Sequence, residues 1–218
     1  MEIIAKESGS GGFKKILPPE DNYPARCLQI VLTGTHLDTT YDKWKKTLRL
    51  TWELNEKAVF KEGDEPKPFL VSKKYNLSLG EKAILRKDLE SWRGKSFTSA
   101  ELKGFDITSL INAPCMVNII HKTYDNGNTS ASVSSVTKVP KGFTVEPLFN
   151  DSFIFSVDHF DVEIFNTFPE WLQTEIKESS EYIAQFGAGG HEGAAKQQKS
   201  SLDEAPQPDG EAGDDLPF

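Results

Sequence analysis

Trp44-Lys45-Lys46-Thr47-Leu48-Arg49-Leu50-Thr51-Trp52-Glu53-Leu54 is the stretch that decides the fold. Trp44, Leu48, Leu50, Trp52 and Leu54 fall at period two, with only Lys46 breaking the series. Lys45, Thr47, Arg49, Thr51 and Glu53 fill the alternate positions. Successive side chains of a strand point to opposite faces, so this is a β-strand with one apolar and one polar face. Upstream, residues 25–35 place Leu28, Ile30 and Leu32 at period two with Cys27 and Val31 opposite. Two partly apolar faces are what a long strand needs to bend around a small barrel. Residues 34–42 read as a loop, and so do residues 55–68, which are charged and contain Gly63 and Pro66.

Downstream, residues 69–79 form a third strand. Ser78 and Glu81 then stand at capping-box spacing, and Ile84, Leu85, Leu89 and Trp92 recur at helical spacing until Gly94 stops the helix. A polar connection runs to Ala113. Residues 115–124 and 130–139 read as two further strands around Asp125-Asn126-Gly127-Asn128, a hairpin turn containing Asn-Gly. The order β-β-β-α-β-β predicts a mainly β chain, a five-stranded OB-fold barrel. Such barrels bind single strands across their second and third strands and the adjoining loops.

The outer segments differ in character. Residues 1–21 form an arm with Ser8-Gly9-Ser10-Gly11-Gly12 and Pro18-Pro19, flexible apart from a contact through Phe13, Ile16 and Leu17. Residues 22–143 make the barrel domain. Residues 144–185 form an acidic, aromatic-rich extension with Phe149, Phe153, Phe155, Phe160 and Phe165. A helix there starts near Pro169, with Thr167 and Glu170 as a capping pair and Trp171, Leu172, Ile176 and Ile183 as its apolar side. The extension is too short for a core of its own and is expected to pack on the barrel. Residues 186–218 are rich in Gly, Ala, Gln, Lys and Pro and read as a disordered acidic tail.

Charge follows the same division. Residues 1–143 carry 22 basic and 17 acidic side chains, residues 144–185 one and nine, and residues 186–218 two and seven, for net charges of +5, −8 and −5. The overall −8 therefore hides a basic body with an acidic end, a pattern that points to nucleic-acid contact. Across 218 residues the apolar fraction is 37%, low for a globular chain, and the tail accounts for part of that. No apolar run reaches membrane-spanning length, and the first residues lack a signal-peptide pattern. Cys27 and Cys115 read as small buried residues of a reducing compartment, with a disulfide as the alternative.

Single-strand binding needs cations for phosphates and aromatic faces for unstacked bases. Strand two offers Trp44, Lys45 and Arg49, and strand three offers Lys73, Lys74 and Tyr75. Arg86 and Arg93 lie on the helix, and His121 and Lys122 lie near the end of strand four. Arg49 is the first choice, because its neighbours on the other face form the core. Trp52 and Trp92 continue apolar faces and read as core, Trp44 borders a loop and reads as exposed, and Tyr75 fits either role. No catalytic motif is present: GxxxxGK[ST], GxSxG and HExxH are all missing from the sequence. A zinc site from Cys27, His36, Cys115 and His121 lacks paired short spacing. The expectation is a non-enzyme without metal or cofactor.

The last residues, Asp214-Asp215-Leu216-Pro217-Phe218, form a docking peptide in which Pro217 limits the entropy lost on binding. This tip resembles the Asp-Asp-x-Pro-Phe terminus of bacterial single-stranded DNA-binding proteins. Residues 75–79, 85–95 and 114–121, together with Pro169-Glu170-Trp171-Leu172-Gln173-Thr174-Glu175-Ile176, resemble OB-like proteins of tailed bacteriophages over roughly residues 22–185. The two resemblances imply a phage single-stranded DNA-binding protein in the cytoplasm of a bacterial host. It would protect single strands in replication, recombination or repair without sequence preference. Its tip would recruit a polymerase, primase, helicase or recombinase. The chain departs from the bacterial proteins in its longer connection between strands three and four and in its acidic extension. That leaves monomer and homodimer both open. Two rivals stand beside this expectation: an adaptor whose barrel binds protein, and a nuclease accessory subunit using Asp158-His159-Phe160-Asp161 for a divalent metal.

Overall fold

The computed structural model describes residues 16–187, and the tip expected to dock partners, 214–218, therefore lies outside the described residues. Five strands run β1 (Asn22–Asp38), β2 (Lys43–Ala58), β3 (Lys67–Asn76), β4 (Pro114–Thr123) and β5 (Thr129–Thr137). They pair antiparallel in the order β3-β2-β1-β4-β5. Helix α1 (Ile84–Arg93) stands between β3 and β4, as the sequence predicts, and the mainly β arrangement is compatible with an OB-like fold. The two outer strands approach each other where Lys73 Nζ on β3 donates to the Ser134 carbonyl of β5 at 3.3 Å. A sixth strand, β6 (Phe153–Ser156), joins β1 in parallel and was not visible in the sequence pattern.

The apolar face of β2 lies inside the barrel. Leu48, Leu50, Trp52 and Leu54 are buried with Ala25, Cys27, Ile30, Val71, Leu89 and Val117. Each such large side chain contributes on the order of 1.5–3 kcal/mol on leaving water. Trp52 lies 6.0 Å from Trp92, whose Nε1 donates to the Pro114 carbonyl at 2.8 Å. Trp44, beyond the end of this series, is exposed.

Strand β1 departs from simple alternation. Irregularities between Cys27 and Gln29 and between Leu32 and Gly34 shift its register against β2. A bulge reverses which parity faces inward. Cys27 therefore shares the barrel core with Ile30, while Val31 belongs to a second cluster. The grouping of Cys27 with Val31 is corrected on that ground.

Two capping expectations are corrected as well. Helix α1 starts with Ala83 as its N-cap and no side-chain cap. Ser78 Oγ instead accepts from the Gly80 N–H at 3.2 Å, and a turn closes from the Ala83 N–H to the Gly80 carbonyl. Ile84 is exposed, while Leu85, Leu89 and Trp92 face inward. Gly94 ends the helix at φ 67°, a conformation glycine reaches without steric cost. The polar connection that follows contains helix α2 (Ser99–Lys103), started by a full capping box of Thr98 and Glu101.

The extension folds as β6, α3 (Val162–Thr167), α4 (Glu170–Lys177) and α5 (Ser180–Phe186). Phe155, Val157, Phe165, Phe168, Leu172, Ile176 and Tyr182 form a second buried cluster on Val31 of β1. The helical stretch after Pro169 breaks at Ser179, which caps α5 by accepting from the Tyr182 N–H. Tyr182 then turns inward and Ile183 outward, contrary to a single helix with Ile183 on its apolar side. Thr167 caps nothing at Glu170, because its hydroxyl donates back to the Ile164 carbonyl at 2.6 Å.

Candidate nucleic-acid interface

The polar face of β2 is the outer wall of the barrel, and the extension covers much of it. Glu53 is only 5% exposed. Its carboxylate accepts from the Phe149 N–H at 2.6 Å, the Asn150 N–H at 3.1 Å and Asn150 Nδ2 at 2.6 Å. Thr47 is buried too, its hydroxyl 2.7 Å from that of Thr33.

Arg49 is held by α4. Its Nη2 meets Glu175 Oε2 at 3.0 Å, and the guanidinium lies 4.7 Å from the Trp171 ring centroid. Lys74 Nζ reaches the other oxygen of Glu175 at 3.0 Å. Burial opposes the charge on Glu175, but Lys74 and Arg49 outweigh it and hold the carboxyl below its ordinary range. The two cations chosen from alternate positions on β2 and β3 thus share one carboxylate.

The other chosen residues are spread out. Lys73 and Tyr75 both contact Asp88 of α1 at 2.7 Å, and Tyr75 is buried, which settles its role as core. Burial and the neighbouring Asp88 carboxylate raise the Tyr75 phenol well above its usual value. Arg86 pairs with Glu90 at 3.1 Å along α1. Arg93 pairs with Glu101 and lies over the rings of Phe97 and Phe105 at 4.3 and 5.0 Å. His121 is tied to the N-terminal segment, its Nε2 2.8 Å from the Pro18 carbonyl. Lys122 is exposed on the β4–β5 hairpin with Tyr124.

The β1–β2 hairpin and the groove beside it are open to solvent as well. Trp44 and Tyr41 are 64% and 68% exposed, next to the exposed Lys43. Lys45 pairs with Asp38 and stands 4.7 Å over the Tyr41 ring. Lys45, Lys74 and Lys82 line a groove of about 940 Å³ between the end of β3 and the start of α1. Tyr41, Lys43 and Lys82 were missed in the sequence, although an aromatic and a lysine at a hairpin tip were a readable signal.

Cys27 and Cys115 are free and buried, and burial pushes the Cys27 thiol up to about 12. Asp158 pairs with Lys46 at 2.7 Å, and Asp161 caps α3. Among the described residues no three His, Cys, Asp or Glu side chains form a metal-binding group. Nor does any described helix have the length and apolar character to cross a membrane. No family model, curated protein or solved structure matches this chain.

Proposed function

We propose that this chain is a single-stranded DNA-binding protein without sequence preference, active in phage DNA replication or recombination. The observation that carries the reading is the exposed pair Tyr41 and Trp44 on the β1–β2 hairpin, beside Lys43 and the Lys45–Lys74–Lys82 groove. Aromatic faces take unstacked bases and the lysines follow the backbone phosphates. The acidic tip Asp214-Asp215-Leu216-Pro217-Phe218 recruits a partner enzyme in the host cytoplasm. No catalytic role, metal or cofactor enters this reading. Trp44→Ala is expected to weaken oligo-dT binding by about fivefold or more, the loss of one stacked base at roughly 1–3 kcal/mol. Unchanged affinity would remove the hairpin from the interface. Deleting Gly213–Phe218 is expected to abolish capture of a replication enzyme while leaving or raising DNA affinity; a tail-less chain that still recruits it would sink the docking role.

A protein-binding adaptor is the second reading. It is favoured by a groove of about 640 Å³ in which Ile16, Leu17, Phe60, Phe69 and Leu70 stand beside Lys67, Ser72 and Asn150. Binding to a protein that resists both salt and oligonucleotide competition would select it.

A further inference from the structure

Helix α4 packs beside β1, and its Trp171 and Glu175 side chains reach Arg49 of β2 and Lys74 of β3, leaving a groove of about 580 Å³ lined by Arg49, Thr51, Leu70, Ser72, Asn150 and Trp171 among others. That size falls within the range of about 300–1,000 Å³ that small-ligand clefts occupy. Trp171 is 52% exposed, although Arg49 stacks against its ring. One part of the indole is therefore committed to the guanidinium and the rest is open to solvent. Beside it, Glu175 bridges Arg49 and Lys74, and its oxygens stand 3.0 Å from each cation. Arg49 Nε is buried and has no hydrogen-bond partner, so the carboxylate leaves part of the guanidinium's donor capacity unused. A phosphodiester has the charge and the oxygen geometry to take both cations in place of that carboxylate.

We infer that Trp171, Arg49 and Lys74 form a second nucleotide subsite, in which a base stacks on Trp171 and a backbone phosphate displaces Glu175. The inference rests on the single-strand reading above and extends it from the hairpin to the extension. Lys74 joins the two places, because it lines the hairpin-side groove and also pairs with Glu175. A strand leaving Trp44 along Lys45 meets Lys74 next and Trp171 after it. Glu175 then acts as the resident anion of the free protein, and the subsite opens only to a ligand that outcompetes it.

Tryptophan fluorescence tests this without any change to the subsite. Trp52 and Trp92 are buried, so Trp44→Phe leaves Trp171 as the exposed tryptophan. Full-length Trp44→Phe protein, titrated with a fluorescein-labelled oligo-dT, is expected to show quenched tryptophan emission in step with the rise in label anisotropy. Glu175→Gln should tighten oligo-dT binding about three- to tenfold and steepen the slope of log K against log salt by about 0.7, the value for one uncovered charge on a single strand. Trp171→Leu, at a solvent-facing position, should weaken binding about fivefold or more with a normal thermal melt. Anisotropy that rises while the Trp44→Phe emission stays constant would overturn the subsite. Wild-type affinity and salt slope in folded Glu175→Gln protein would overturn it too. If Glu175→Gln does not fold, Trp171→Leu protein that binds with wild-type affinity overturns the subsite in its place. Failure of the single-strand reading itself looks different: the unsubstituted protein produces no anisotropy change at all, and the subsite falls with it.

Discussion

The two faces of β2 have opposite chemistry and nearly the same burial. Inward lie Leu48, Leu50, Trp52 and Leu54, and outward lie Thr47, Arg49, Thr51 and Glu53. Thr47, Thr51 and Glu53 are buried, as deeply covered as many core positions. The inner face is held by non-directional apolar packing, and its one polar group, the Trp52 Nε1, is buried without a hydrogen-bond partner. On the outer face Thr47 is hydrogen-bonded to Thr33 of the neighbouring strand, while Glu53 and Arg49 are held by Phe149, Asn150 and Glu175, about a hundred positions or more later in the chain. Alternation in a strand thus reports the chemistry of each face and leaves open whether water or another layer covers the polar one.

Substitutions on the two faces should differ in size and in reach. Trp52→Ala is the most damaging, at about 3–5 kcal/mol for a fully buried aromatic, and should lower stability of the whole chain in urea denaturation. Gly34→Ala strikes only the junction with the extension. Its Cβ would lie 2.5 Å from Ser179 Cβ, at φ 102°, where side chains are strained. An expected loss of about 2–4 kcal/mol should release α4 and α5 first. Hydrogen exchange is then expected to rise across residues 162–186 while β4 and β5 stay protected; uniform loss of protection would show that barrel and extension unfold as one.

Glu53→Ala comes next. It strands the donors of Phe149 and Asn150 and should cost about 1–3 kcal/mol, with a smaller penalty for Glu53→Gln, which keeps one oxygen. A variant as stable as the parent would mean that water takes over those donors.

The smallest effect is on pH. Burial raises the Glu175 pKa, but Lys74 and Arg49 more than offset it, and the folded value falls below the ordinary 4.5. The same balance holds for Glu181, where the Thr35 hydroxyl and N–H and the Lys46 charge overcome burial. A lowered folded pKa means that both contacts contribute fully above about pH 4.5 and fade as pH falls through the folded values. Stability of the extension should therefore drop on acidification below that point, and Glu175→Gln should flatten part of the decline.

The sequence made some of this legible for identifiable reasons. Period two placed the core face of β2, and Gly94 with the Asn126-Gly127 turn marked two element ends, because each signal is local. The bulges of β1 stayed hidden, since a register shift leaves no mark in a strand that is apolar on both faces. Thr98 and Glu101 did carry a capping box, but no apolar period followed to draw attention to it. Arg49 and Lys74 looked free because Glu175 stands 126 and 101 residues from them in the chain, and no local pattern reports such a partner. Trp171 looked like a core residue because it neighbours Leu172 and Ile176, yet α4 turns it toward the groove.

The most direct test is equilibrium binding of the full-length protein to labelled oligo-dT and to duplex DNA of equal length, across a salt series. The account predicts preferential binding of the single strand, with affinity that falls linearly in log salt. No binding to the single strand, or a preference for the duplex, would contradict it.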